Sequence, residues 1–177
     1  MMESIDRDVR YYIYRTFAKT TLPPTTSQVA EQFGVSIASI ENAFERLANA
    51  HHIALAPGSY SIWMAHPFSG VPTNYVAAIG SKKYHGNWVW DIFGISAILQ
   101  KNVEGHAPCG CGDCSQKLRL SIYPGEAIKS DWLVNFIVPA AQFWDKIGYT
   151  WATILPFSSK GHLNKWLHRK GLNEGYN

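Results

Sequence analysis

The stretch from Gly86 to Leu99, GNWVWDIFGISAIL, constrains this chain most, because it carries one ionisable residue in an otherwise apolar and aromatic run. Such a run predicts a helix that lies inside the fold. Its ionisable residue is Asp91. Because burial disfavours the charged form of a carboxyl group, we expect Asp91 to hold a proton near neutral pH and to deliver it to a substrate. An aspartate that caps the helix or pairs with a Lys or Arg is the alternative.

The composition describes a globular chain of one full domain, or of one domain with a small appended module. Hydrophobic residues make up 46% of the 177 residues and charged residues 16%, without an apolar run long enough for a membrane span. The first residues lack the basic start and apolar core of a secretory signal, so we expect a cytoplasmic protein. A net charge of +3 and an aromatic content of 14% favour small organic partners over nucleic acid. A homodimer is left open.

The first 64 residues are predicted to form a helical module. Apolar residues at helical spacing predict a helix over 8–18, a second that ends at Gly34, and a third that Ser36 caps. A small hairpin is expected around the turn 57–59. Helix-turn-helix followed by a hairpin resembles a winged helix, for which we predict the bounds 1–64.

A winged helix raises the question of DNA binding, which depends on Lys and Arg side chains that neutralise phosphates. The predicted recognition helix carries Glu41, Glu45 and Arg46 but no lysine, and the hairpin has neither Lys nor Arg. DNA binding is therefore disfavoured. A metal- or ligand-sensing DNA regulator is kept as an alternative function.

Residues 65–177 are predicted to form an α+β domain around a mainly antiparallel sheet with flanking helices. Alternating or continuous apolar runs predict its strands and helices. Strands are expected over 75–79, 117–123, 132–138 and 150–155. Helices are expected over 140–147, over 161–170 and in the segment that bears Asp91, which ends near Lys101.

The order of motifs resembles the alkylmercury (organomercurial) lyase family over nearly the whole chain. The motifs are the junction MAHPFS at 64–69, Trp90-Asp91 followed by Gly94-Ile95, a cysteine-bearing loop before a strand, and FSS at 157–159. The resemblance implies that family's α+β domain behind the winged-helix module. It also implies its chemistry, in which two cysteines bind mercury and an aspartate protonates the departing carbon.

By this resemblance Asp91 matches the acid, whereas Trp88 and Trp151 stand where the two cysteines are expected. Because an indole cannot replace a thiolate, our leading hypothesis is an enzyme repurposed for proton transfer on a small, largely apolar organic molecule. A lyase, isomerase, cyclase or hydrolase step would fit, with Asp91 as general acid or base and no required cofactor. Phe157 is expected to line this site beside the two tryptophans.

Four histidines outside the cysteine loop fall into two groups. His66 in the junction and His85 ahead of the Asp91 helix are predicted to line the pocket. His162 and His168 belong to a basic helix and are predicted to be surface residues.

The loop His106-x-x-Cys109-x-Cys111-x-x-Cys114 brings four soft-metal ligands together within nine residues. Zinc takes four such ligands tetrahedrally, and the intervening glycines would let the loop wrap the ion, so a structural zinc site is one interpretation. Free thiols that bind mercury, or small buried side chains, are the others. If the cysteines stand in for the missing pair, the chain would keep organomercurial lyase activity.

Overall fold

The computed structural model describes residues 4–126 and 129–173. The chain divides into two compact units, Met1–Thr73 and Asn74–Asn177.

Three helices open the first unit, and their caps are those that the sequence predicts. The Thr25 side chain accepts from the backbone N–H of Gln28 and the Gln28 side chain accepts from that of Thr25, a capping box. Ser36 caps the third helix. The helices are α1 (Ser4–Thr20), α2 (Thr26–Phe33) and α3 (Ile37–Asn49).

A three-stranded antiparallel sheet completes this unit, with the strands in sequence order. They are β1 (Ala54–Leu55), β2 (Ile62–Ala65) and β3 (Phe68–Ser69). The predicted domain boundary after Met64 falls inside β2. The junction that follows forms β3, in which Ser69 pairs with Met64. The order of helices and strands agrees with a winged helix, an assignment that stays a prediction.

The second unit is built on a four-stranded antiparallel sheet in the order β5-β4-β6-β7. Its strands are β4 (Tyr75–Ile79), β5 (Lys82–Gly86), β6 (Val103–Pro108) and β7 (Lys117–Ile122). Helix α4 (Val89–Leu99) lies so close to the sheet that a Cβ atom on Gly105 would come within 2.8 Å of Ile92. Helices and antiparallel sheets together confirm the predicted α+β class.

The remaining elements are a short antiparallel strand pair and two helices. They are β8 (Leu133–Asn135), α5 (Ile147–Thr153), β9 (Leu155–Phe157) and α6 (Lys160–Lys170). The strand predicted over 150–155 is wrong, because Thr153 ends α5 and its hydroxyl donates to the carbonyls of Tyr149 and Thr150 one turn earlier. The helix predicted over 140–147 is reduced to a single 3-10 turn at Ala140–Gln142.

The sheet topology brings two distant segments to one end of the second unit. Strands β5 and β6 are both antiparallel to β4, which lies between them, so they run in the same direction. His85 of β5 and His106 of β6 both pair with Val76, which sets their backbones roughly 10 Å apart. The segments that follow, towards Asp91 and towards Cys109, therefore leave the same end of the sheet.

Candidate functional site

Three cysteines and one histidine form a cluster, which we call the Cys–His cluster: Cys109, Cys111, Cys114 and His162. Their ligand atoms all lie within 4.8 Å of one another. The Sγ atoms of Cys111 and Cys114 are 3.4 Å apart. His162 Nδ1 lies 3.7 Å from Cys109 Sγ and 3.8 Å from Cys114 Sγ. Within residues 4–126 and 129–173, no other His, Cys, Asp or Glu group has this arrangement.

The loop between β6 and β7 supplies the three thiols, and its backbone fixes their positions. The N–H of Cys109 donates to the Gln116 carbonyl at 3.0 Å, which closes the loop. The N–H of Gly110 donates to the Pro156 carbonyl at 2.7 Å and so joins the loop to β9. A Cβ atom on Gly110 would lie 2.6 Å from Leu155 Cβ, so the approach requires glycine.

Helix α6 supplies the histidine and holds the loop from the other side. Ser159 caps α6 and accepts from the backbone N–H of His162 at 3.3 Å, which fixes His162 in the first turn. Near the other end of the helix, Arg169 donates to both Asp113 carboxylate oxygens, at 2.6 and 2.7 Å, and to the Cys111 carbonyl. One helix thus contacts the loop at two points.

The thiols of the Cys–His cluster differ in acidity. Burial raises the pKa of the Cys109 thiol, but hydrogen bonds from the backbone N–H groups of Cys111 and Ser158 outweigh it and lower this pKa to about 6. For Cys114, a hydrogen bond from the Gln116 backbone favours the thiolate, yet burial and the neighbouring sulfurs prevail and raise the pKa. The cluster therefore holds a thiolate beside a thiol near neutral pH.

Asp91 is buried, with 2% of its surface exposed. Its carboxylate accepts from the backbone N–H groups of Asn87 and Trp88, at 2.6 and 3.3 Å, and from the Trp88 indole N–H at 2.7 Å. A Cβ atom on Gly86 would lie 2.5 Å from Asp91 Cβ, so β5 must end in glycine here. Trp88 is the N-cap of α4, and Asp91 in the first turn accepts from its backbone N–H, so these contacts fix the orientation of the carboxylate.

The indole that donates to Asp91 also lines an apolar cavity of about 320 Å³. Its walls are aromatic rings and small apolar side chains, among which Trp88 and Phe143 have ring centroids 5.6 Å apart. The lining residues are Trp88, Trp90, Phe136, Val138, Pro139, Ala140 and Phe143.

The sequence model of the alkylmercury lyase family matches residues 68–176. This chain belongs to the alkylmercury lyase family. Among solved structures, the mercury-bound form of MerB2 is similar in fold, with a TM-score of 0.74 at 20% identity over 99% of this chain and 84% of that chain. No curated protein matches the sequence. Across the described ranges, none of the helices has the length and apolar character needed to cross a membrane.

In this alkylmercury lyase family member, the three predicted cysteine ligands meet, but their fourth partner is His162 and not His106. Residues 103, 105 and 107 of β6 are buried, while His106 lies on the opposite face of the strand. In the strand register, His106 lies opposite Arg119 of β7. His162, expected at the surface, is half-buried. The sequence signal that could have revealed it is its position three residues after the Phe157-Ser158-Ser159 motif.

The three predicted wall residues belong to three different elements of the second unit. Trp88 lines the aromatic cavity. Trp151 is buried on α5. Phe157 packs beside the Cys–His cluster, against Trp166 at a centroid distance of 5.5 Å.

The two predicted pocket histidines belong to different units. The carbonyl of His66 accepts from the Tyr14 hydroxyl at 2.7 Å within the first unit. His85 is part of β5 in the second unit. A pocket role for either one stays a prediction.

Proposed function

We propose that this member of the alkylmercury lyase family cleaves the carbon–mercury bond of organomercurials, with the Cys–His cluster as its mercury-binding site. The observation that carries the proposal is the convergence of three sulfur atoms in one half-buried cluster. Thiolates are the ligands that soft metals select. With a pKa of about 6, Cys109 supplies a thiolate at neutral pH without a separate base.

The reaction we propose begins when the Cys109 thiolate displaces the anionic ligand from an organomercurial R–Hg–X. A second thiol of the cluster, from Cys111 or Cys114, then binds mercury and gives up its proton. The carbon–mercury bond breaks with its electron pair remaining on carbon, and that carbon takes up one proton. The products are the hydrocarbon R–H and mercury(II) held by two thiolates, which external thiols can remove.

We propose Asp91 as the acid that passes this proton to carbon. Two features support the role: its carboxyl is buried, and the segment that bears it leaves the same end of the sheet as the cysteine loop. The Trp88 indole N–H, 2.7 Å away, would hold the carboxyl in one orientation during the transfer. Asp91 would take up the proton that the second thiol releases.

The test is the release of benzene from phenylmercury acetate, measured by gas chromatography of the headspace. We expect turnover by the wild type and its loss when Cys109, Cys111 and Cys114 are all replaced by Ser. The matched control is Ser115→Ala, an exposed position in the same loop, which should leave the rate unchanged. Full turnover by the triple variant would contradict the mercury-binding role of the cluster.

A second candidate is proton transfer on a small apolar organic molecule, with Asp91 as general acid or base. The aromatic cavity favours it, because the cavity accommodates a small aromatic compound and shares Trp88 with Asp91. Calorimetric binding of indole-sized ligands, abolished in Phe143→Ala and retained by the triple cysteine variant, would support this candidate. Wild-type protein that binds none of them would remove it.

Two contacts weigh against the DNA-regulator alternative. Arg46, the only basic residue of α3, donates to the buried Asp6 carboxylate at 2.8 to 3.2 Å. Glu45, an acidic residue on the same helix, accepts from the Tyr60 hydroxyl at 2.8 Å. We therefore expect no salt-dependent binding to duplex DNA at low ionic strength.

A further inference from the structure

We propose that the Cys–His cluster is a resident zinc site in the absence of mercury, with three cysteine sulfurs and His162 Nδ1 as the ligands. The inference concerns the same thiols as the proposed function and deepens it. It does not depend on carbon–mercury cleavage, because a zinc site can exist in a chain without that activity.

The ligand spacing is that of a tetrahedron around zinc. Zinc lies about 2.3 Å from sulfur and about 2.0 Å from imidazole nitrogen, so the edges of the tetrahedron are roughly 3.8 Å between sulfurs and roughly 3.5 Å between sulfur and nitrogen. The distance from Cys111 Sγ to Cys114 Sγ is 3.4 Å. His162 Nδ1 lies 3.7 and 3.8 Å from the Sγ atoms of Cys109 and Cys114. These three distances are close to the edges of that tetrahedron, and all four ligand atoms lie within 4.8 Å of one another.

The cluster also joins ligands from two separate elements, as structural zinc sites do. Three ligands come from the loop after β6, and the fourth comes from α6, 48 residues beyond Cys114. Zinc would therefore cross-link a loop to a helix. The ligand set predicted from the sequence, with His106 as the fourth ligand, would not join two elements, because all four residues lie within one short segment.

The surroundings of the cluster suit a metal that is bound by three thiolates. The Arg169 guanidinium, which pairs with Asp113, also donates to the Cys111 carbonyl and so holds the backbone of one ligand in place. The Ser158 hydroxyl lies 2.7 Å from His162 Nδ1 and 3.6 Å from Cys109 Sγ. When Nδ1 binds zinc, this hydroxyl can turn to donate to the Cys109 sulfur.

The experiment measures zinc in the full chain, purified under reducing conditions without chelator. We expect about one zinc ion per chain and, after exchange with Co²⁺, the intense visible bands of a tetrahedral thiolate site. His162→Ala should weaken zinc binding by more than about 100-fold, since loss of an outer contact alone costs 10- to 100-fold. The matched controls His106→Ala and His168→Ala should bind zinc like the wild type.

X-ray absorption of the zinc-loaded wild type tests the same ligand set without a substitution, and should show three sulfur neighbours and one nitrogen. Failure of the reduced protein to bind Zn²⁺ or Co²⁺ would overturn the inference. The inference would also be overturned if His106→Ala lost its zinc while His162→Ala kept its zinc. If the protein releases benzene from phenylmercury acetate but binds no zinc, only this inference is overturned. If the protein binds zinc but its zinc-free form does not cleave phenylmercury acetate, only the proposed function is overturned.

Discussion

The imidazole Nδ1 of His162 lies 3.7 Å from the sulfur of Cys109, although 53 residues separate the two along the chain. This contact links the loop after β6 to the first turn of α6. It gives the three cysteines a nitrogen neighbour, which makes the cluster a candidate zinc site as well as a candidate mercury site. The predictions that follow test how each part of this arrangement contributes.

The acidity of Cys109 should set the pH profile of thiol alkylation in zinc-free protein. Because its pKa is lowered to about 6, the thiolate fraction rises with pH and reaches one half near that value. The rate at which iodoacetamide modifies Cys109, measured by mass spectrometry, should therefore be half-maximal near pH 6. Cys114, whose pKa is raised, should react only at higher pH. A Cys109→Ser variant should lack the low-pH phase.

The same pKa shift predicts the pH dependence of folding in the zinc-free protein. A folded-state pKa below that of an unfolded cysteine means that the unfolded chain binds the proton more readily. The stabilisation is fully present above the unfolded pKa and is lost as pH falls through the folded value near 6. The free energy of unfolding should therefore decrease from pH 9 towards pH 6 in the wild type, and less so in Cys109→Ser. Equal slopes in urea titrations of the two proteins would refute this.

Gly110→Ala should disturb the cysteine loop, because the new Cβ atom would lie 2.6 Å from Leu155 Cβ. We expect a loss of about 1–3 kcal/mol in the free energy of unfolding, together with weaker zinc binding. Gly148→Ala is the matched control, since nothing lies within 4 Å of its added Cβ in α5. That variant should be more stable by about 0.5–1 kcal/mol, the usual gain of alanine over glycine in a helix. Denaturant titrations measure both.

Asp91→Asn should impair both the capping of α4 and the proposed proton transfer. The amide offers one acceptor oxygen and no ionisable proton, so donors from Asn87 and Trp88 would compete for it. We expect a loss of about 1–3 kcal/mol in stability and of about 100-fold or more in kcat for phenylmercury acetate. Trp88→Phe, which removes only the indole donor, should lose less activity. An Asp91→Asn protein with full turnover would refute the assignment of the acid.

Arg169→Ala should release the cysteine loop from α6 while leaving the fold intact. The Arg169–Asp113 pair is exposed, with 45% and 62% of the side chains accessible, so its removal should cost at most about 1 kcal/mol of stability. Zinc affinity should fall by about 10- to 100-fold, because the Cys111 carbonyl and Asp113 lose their common partner. Lys165→Ala, at an exposed position on the same helix, is the control. Unchanged zinc affinity in Arg169→Ala would show that the loop keeps its shape unaided.

Zinc and organomercurials should compete, since both are proposed to bind the thiols of the Cys–His cluster. Zinc-loaded protein should release benzene from phenylmercury acetate more slowly at first than chelator-treated protein, with zinc appearing in solution as mercury binds. A chromogenic zinc indicator follows the release. Identical initial rates with zinc retained would show that the two metals bind at different sites.

The sequence predicted those parts of the fold that depend on local patterns. The alternating apolar residues 118, 120 and 122 form the predicted buried face of β7, and the caps at Thr25 and Ser36 lie where expected. Local pattern failed over 150–155, where threonines and an aromatic residue mimic a strand but Thr153 bonds back along a helix. The β-propensity of such side chains describes how well they pack on a sheet and is not an intrinsic preference of the backbone, so the same residues can form a helix.

The candidate site was predictable only as far as its ligands are neighbours in sequence. The spacing of Cys109, Cys111 and Cys114 indicated a common loop, and the structure brings them together. It could not indicate His162, because that contact depends on how α6 packs against the loop. His106 was predicted as a ligand because it is close to the cysteines in sequence. Side chains alternate between the two faces of β6, however, and His106 lies on the face opposite the buried residues.

The late position of α6 in the chain has a consequence for how the protein is made. The cysteine loop is synthesised first, and His162 and Arg169 follow tens of residues later. A nascent chain therefore exposes three unprotected thiols before the helix that completes their surroundings has left the ribosome. During that interval the cysteines are open to oxidation and to capture by soft metal ions, and the surroundings that His162 and Arg169 provide are complete only after α6 has been synthesised.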